Sequence, residues 1–129
     1  MTIIAVDLDF EDPDLHAKLD ELGPEGYDHT SFGVVALDND LVCVAYNATE
    51  QEYAGLDPER VIGRHFFEEV APCMNNFLVS DKFRDDGRND ETIPYTLSVR
   101  LAPTQCRLRM LVQPGDGPNY LVVDWSSVS

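Results

Sequence analysis

The chain has 129 residues and carries 24 acidic against 9 basic side chains, a formal net charge of −15, with 43% hydrophobic and 9% aromatic residues. That length fits one domain able to bury a real core, and the apolar fraction excludes wholesale disorder. The charge excludes nucleic acid and anionic membranes as partners, since both call for a cationic surface. It reads as a solvated acidic coat that keeps the protein soluble and monomeric, with adaptation to high salt as the alternative. No apolar run approaches the roughly 20 residues that span a bilayer. The acidic start, MTIIAVDLDFEDPD, lacks the basic segment of a secretory signal, so a cytoplasmic protein is expected. Cys43, Cys73 and Cys106 are odd in number and show no CxxC spacing, and His16, His29 and His65 are scattered. Neither a disulfide framework nor a metal site is expected.

In chain order, Asp12 and Pro13 read as the N-cap and first residue of a helix whose stripe is Leu15, Leu19 and Leu22, closed by Gly23 and Pro24. Such a short helix needs a partner surface and is expected to lie across a sheet as a removable lid. SFGVVALD and LVCVAYN are two strands around a turn at Asp38–Asp40. Asn47 then caps a helix with Glu50 at its third position, Gly55 ends it, and Asp57-Pro58 opens another turn closing at Gly63. A helix is expected over Asn75–Asp86, with Phe77 and Phe83 inward and Gly87 ending it, followed by a GRND turn. ETIPYTLSVRLAP, TQCRLRMLVQ and NYLVVDWSSVS are three further strands, the last two joined by the loop PGDGPN. In the second of them Cys106, Leu108, Met110 and Val112 alternate with Arg107 and Arg109. The pattern predicts an α+β fold: a five-stranded antiparallel sheet with short helices on one face and an N-terminal helical cap on the other.

The chemistry concentrates between Tyr46 and Cys73. Tyr46 and Glu50, at i and i+4, can reach a common partner. Cys73 ends a VAPC segment between the Phe66-Phe67 pair and Phe77. A thiol in apolar surroundings with a phenol and a carboxylate in the same fold suits the anchoring of a small aromatic molecule. Each residue also has a plainer reading. Glu50 can be a surface carboxylate closing a helix start, Tyr46 a half-buried strand end and Cys73 an inert core thiol. Cys43 and Cys106, in strand-like runs, read as small apolar fillers.

YNATE followed by GLDPERVIGRHFFEEVAPC resembles the photoactive yellow proteins, blue-light receptors of the PAS fold, over about Phe32 to Val128. The resemblance implies one PAS domain over 1–129, with a cap over 1–28 and a core over 29–129. It implies p-coumaric acid (4-hydroxycinnamic acid) held as a thioester on Cys73. Tyr46 and a protonated Glu50 then donate to its phenolate, and Ala54, Leu56, Phe66, Val70, Ala71, Pro72, Leu97 and Leu101 line the site. A free phenol titrates near ~10 and a glutamic acid near ~4.3, so the pocket has to reverse their order. Light then drives trans-to-cis isomerisation, Glu50 gives up its proton, and the buried anion left behind loosens the packing and releases the cap, giving the signalling state. Three positions depart from the family pattern: Ala54 stands where Thr is common, Leu56 where Arg is common and Leu101 where Met is frequent. Leu101, on an LAP loop over the ring, is expected to slow the return to the dark state.

The expected partners are therefore the chromophore and an unidentified downstream signalling protein, with no enzymatic activity. Two alternatives remain at this level. One is a PAS module without chromophore that only binds partners. The other is a cysteine hydrolase using Cys73 and His65, for which no oxyanion signature is present.

Overall fold

The computed structural model describes residues 8–84, 87–99, 102–115 and 117–125. Five strands form one antiparallel sheet: β1 (Gly33–Leu37), β2 (Cys43–Tyr46), β3 (Asn89–Val99), β4 (Ala102–Val112) and β5 (Asn119–Asp124), in the order β2-β1-β5-β4-β3. The strand order puts the two ends of the chain's sheet, β1 and β5, side by side at its centre. Pro94 is accommodated because β3 lies at the sheet edge, where a missing N–H leaves no neighbour unpaired.

Side-chain alternation divides the core in two. On one face Cys106, Leu108, Met110 and Val112 of β4 pack with Leu121 and Val123 of β5, with Trp125 beyond it, and with Phe66, Phe67, Met74 and Phe83 from the connecting segments. Those segments are α2 (Ala48–Ala54), a π-helical turn at Phe66–Val70, short 3-10 turns, and α3 (Ser80–Arg84). On the other face α1 (Leu15–Leu22) lays Leu15 and Leu19 against Val34, Ala36, Tyr120 and Val122. Phe10, Tyr27 and Phe32 complete this second cluster. The predicted layering is the observed one.

The cap is fastened by polar contacts as well. Arg109 pairs with both oxygens of Asp90, Nε–Oδ1 2.7 Å and Nη2–Oδ2 2.8 Å, and its Nη1 donates to the Phe10 carbonyl at 2.6 Å. Arg107 donates to Asp124 and lies 4.8 Å from the Phe10 ring centroid. The Tyr120 hydroxyl donates to Asp20 at 2.6 Å and shares a 2.9 Å hydrogen bond with Tyr27. Thus the two arginines that alternate with the β4 core residues serve the cap face.

Several local expectations need correction. Helix α1 begins at Leu15, because Asp12 Oδ1 takes the Asp14 N–H and holds the first residues in a turn. The helix expected over Asn75–Asp86 shrinks to α3, with residues 85 and 86 outside the described set. Asn76 Oδ1 accepts from the N–H groups of Leu78 and Val79, and Ser80 Oγ bonds to Asn75 Oδ1, so side chains take donors that a helix would use. Phe77 consequently faces solvent at 73% exposure, whereas Phe83 is buried as expected. Strand β3 starts at Asn89, two residues inside the expected GRND turn, and Ala102 and Pro103 belong to β4, where a loop was expected. Among the described residues no helix is long and apolar enough to cross a membrane.

Candidate functional site

Tyr46 is the last residue of β2 and Glu50 the third of α2, so the strand-to-helix junction brings them together. Asn47 makes that junction rigid. Its Oδ1 accepts from the N–H groups of Glu50 (3.0 Å) and Val34 (2.9 Å), while its Nδ2 donates to the carbonyls of Tyr27 and Phe32. Asn47 is thus the expected helix cap, but it also ties α2 to β1 and to the segment that follows the cap helix.

Glu50 does not close a capping box. It is 3% exposed, and its Oε1 accepts a 2.7 Å hydrogen bond from Trp125 Nε1. Burial pushes the Glu50 carboxyl up to about 7, against the lowering influence of the Trp125 hydrogen bond. Tyr46 is buried too; burial and then the neighbouring Glu50 and Cys43 raise its phenol. The buried carboxyl therefore keeps its proton well above the ordinary carboxylate range, and the phenol beside it stays neutral.

Two residues that shape this arrangement were not singled out from sequence. Trp125 is 3% exposed and stacks on Tyr53, with ring centroids 5.4 Å apart and planes 9° from parallel. Its signal was the period-two run Leu121, Val123, Trp125, which puts it on the Glu50 face. Gly33 at the start of β1 leaves room for Glu50: a Cβ there would sit 1.9 Å from Oε1. Nothing in the SFG tripeptide marks that close approach.

The other expected site residues separate into a buried set and a surface set. Phe66, Ala71 and Leu97 are buried with Tyr46 in one cluster, and Ala54 and Val70 pack against it half-buried. Phe66 meets Phe67 edge to face at 5.3 Å. Leu56, Pro72 and Cys73 are exposed, so Leu56 lies at the surface and outside the apolar cluster. Leu101 lies outside the described residues.

The three thiols differ in access. Cys43 and Cys106 are buried, and burial pushes both up to about 12, which leaves them inert fillers as expected. Cys73 is at the surface in the 3-10 turn Pro72–Met74, and partial desolvation raises its thiol. Tyr95 Oη donates to the Cys73 carbonyl at 2.8 Å, and Asn76 Nδ2 donates both to that carbonyl (3.2 Å) and to Tyr95 Oη (2.8 Å). Tyr95 and Asn76 thereby fasten the cysteine turn to β3. His65 serves elsewhere: its Nδ1 accepts from the Glu68 N–H and its Nε2 lies 3.2 Å from Glu68 Oε2. With both ring nitrogens engaged by Glu68, His65 caps the Phe66–Val70 turn and offers no base to Cys73, which removes the support for a hydrolase dyad.

Comparison with known proteins agrees with this geometry. Residues 27–86 match a family model described as a PAS fold. The photoactive yellow protein of Rhodothalassium salexigens is 30% identical over 104 residues, covering 78% of this chain and 83% of that protein. That of Rhodobacter capsulatus is 35% identical over 89 residues, covering 64% and 69%. Among solved structures, the photoactive yellow protein domain of the sensor histidine kinase Ppr from Rhodospirillum centenum superposes with a TM-score of 0.74 at 33% identity, covering 83% of this chain and 96% of that one. With the strand order, the buried carboxyl and phenol, and these likenesses together, the chain belongs to the photoactive yellow protein family, photoreceptors of the PAS fold.

Proposed function

We propose that the protein is a blue-light receptor that holds p-coumaric acid as a thioester on Cys73 and uses Glu50 as the acid that protonates it after illumination. The observation that carries this reading is a fully enclosed carboxyl, kept protonated up to about 7, beside a buried tyrosine in an apolar cluster. The donor set fits the group: two O–H donors to meet a phenolate, apolar side chains for its ring, and an accessible thiol flanked by buried Ala71 and Met74. When bound, the p-coumaroyl group supplies visible absorption and a light-driven trans-to-cis isomerisation.

The residues divide the work. Cys73 Sγ attacks the acyl carbon of an activated p-coumaroyl ester and displaces its leaving group, the thiol proton passing to solvent. A free carboxylate does not acylate a thiol, and the Cys73 thiol is raised, so a pre-activated acyl donor is needed. Tyr46 and Glu50 hold the phenolate by donating to it, which offsets the cost of burying that charge. Loss of the Glu50 proton places an anion in the core, and β5 carries the strain across the sheet. Trp125, at its end, touches Glu50, while Tyr120 and Asp124 on the same strand hold the cap through Asp20 and Arg107. Release of the 1–28 cap from the 29–129 core is then the output, read by a downstream signalling protein. The net charge of −15 supports a soluble monomer.

Intact-mass analysis after reaction with p-coumaric anhydride tests the attachment. One adduct is expected on the wild type, lost in Cys73→Ala and retained in Cys43→Ala and Cys106→Ala. An adduct that survives Cys73→Ala sinks the assignment.

A further inference from the structure

We propose that Trp125 is a positioning residue that dictates which Glu50 oxygen carries the transferable proton: its indole N–H claims Oε1 as acceptor and leaves the proton to Oε2. The inference rests on the reading of Glu50 as proton donor for its use in light, but the contact itself belongs to the protein alone. Indole can only donate, so the Oε1 that it meets at 2.7 Å has to accept. In a neutral carboxyl the carbonyl oxygen is the better acceptor, which puts the hydroxyl on Oε2. The arrangement is held from two further sides. The Trp125 ring is stacked on Tyr53, and the missing side chain of Gly33 lets Oε1 sit where a Cβ would be 1.9 Å away.

The same N–H then acts in the second half of the reaction. Once the Oε2 proton has left, the Trp125 hydrogen bond becomes charge-assisted and strengthens on the carboxylate. Trp125 thus both directs the proton and stabilises the anion that remains, so donor orientation and signalling-state lifetime depend on one side chain. Among the described residues, the titratable groups that interact with Glu50 are Tyr46 on β2 and Cys106 on β4, both raised far above neutrality, so Glu50 is the member of this cluster that titrates near neutral pH.

Trp125→Phe keeps an aromatic ring against Tyr53, smaller than the indole, and removes the N–H donor. In the apoprotein, the variant is expected to shift the Glu50 titration, followed by its side-chain carbon resonance, upward by about one unit, tenfold in acidity. The infrared C=O stretch of neutral Glu50, identified by its loss in Glu50→Gln, should move to higher frequency. A folded variant with both signals unmoved overturns the proposal. Should Trp125→Phe not fold, the wild type still decides. Trp125 is the single tryptophan, so its emission should titrate near 7 and lose that transition in Glu50→Gln. Emission without the transition, or one that persists in Glu50→Gln, contradicts the contact. Because these readouts need no chromophore, a failed p-coumaroyl adduct leaves them standing and counts only against the proposed function.

Discussion

Gly33→Ala is expected to destabilise the apoprotein by about 3 kcal/mol, a large cost for one methyl group. The added carbon would lie 1.9 Å from Glu50 Oε1 and 2.9 Å from its Cδ, far inside contact distance. The strand cannot simply recoil. Gly33 pairs with Val123 on β5, and the next residue, Val34, donates its N–H to Asn47 Oδ1. Glu50 cannot swing away at no cost either, because it would abandon Trp125 and carry a polar group through an apolar cluster. An overpacking penalty of ~1–3 kcal/mol adds to the loss of one buried hydrogen bond of ~1 kcal/mol. Urea unfolding should show a lowered midpoint with an unchanged slope. Glu50→Ala in the same chain should recover part of the loss, so the two substitutions together cost less than their sum. Wild-type stability of Gly33→Ala would show that Glu50 does not occupy this place.

The second large effect is a pH dependence of stability that belongs to Glu50. Its carboxyl titrates at about 7 in the folded chain against an ordinary 4.5. Below the ordinary value both states are protonated and nothing depends on pH. Between the two values the unfolded chain has released this proton while the folded chain retains it. Stability therefore falls as pH rises through that window, by ~1.4 kcal/mol per unit and roughly 3 kcal/mol in all, and is flat above it. The many surface carboxylates add their own slopes, so the informative quantity is the difference between wild type and Glu50→Gln. That difference should grow in favour of Glu50→Gln from acid to neutral pH and then level off. Parallel pH profiles would mean that the carboxyl is not buried in neutral form.

Much of this architecture is legible in the residues because two periodicities coexist in them. The alternation of Cys106, Leu108, Met110 and Val112 against Arg107 and Arg109 assigns each face of β4, and the Leu15 and Leu19 stripe supplies the cap. The i, i+4 spacing pairs Tyr46 with Glu50, but only the family resemblance favours them over a strand-end tyrosine and a helix-start carboxylate, while the place of Asn47 before the helix marks the cap. Phe77 departs from its expected inward place because helical spacing does not register that Asn76 and Ser80 side chains take local hydrogen-bond partners. Glu50 has two sequence roles, helix-start carboxylate and buried acid, and only the tertiary approach of Trp125, 75 residues away, separates them. Gly33 was invisible for the same reason, since its necessity comes from a side chain on another element.

The central claim, a phenol kept ionised by a carboxyl kept neutral, is tested most directly by the absorption spectrum of the apoprotein after acylation with p-coumaric anhydride at neutral pH. The account predicts a covalent adduct whose band lies in the visible, as a phenolate requires, and which moves to the near ultraviolet when acid protonates it. A stoichiometric Cys73 adduct that absorbs only in the near ultraviolet at neutral pH would contradict the account, because Tyr46 and Glu50 would then not hold the phenolate.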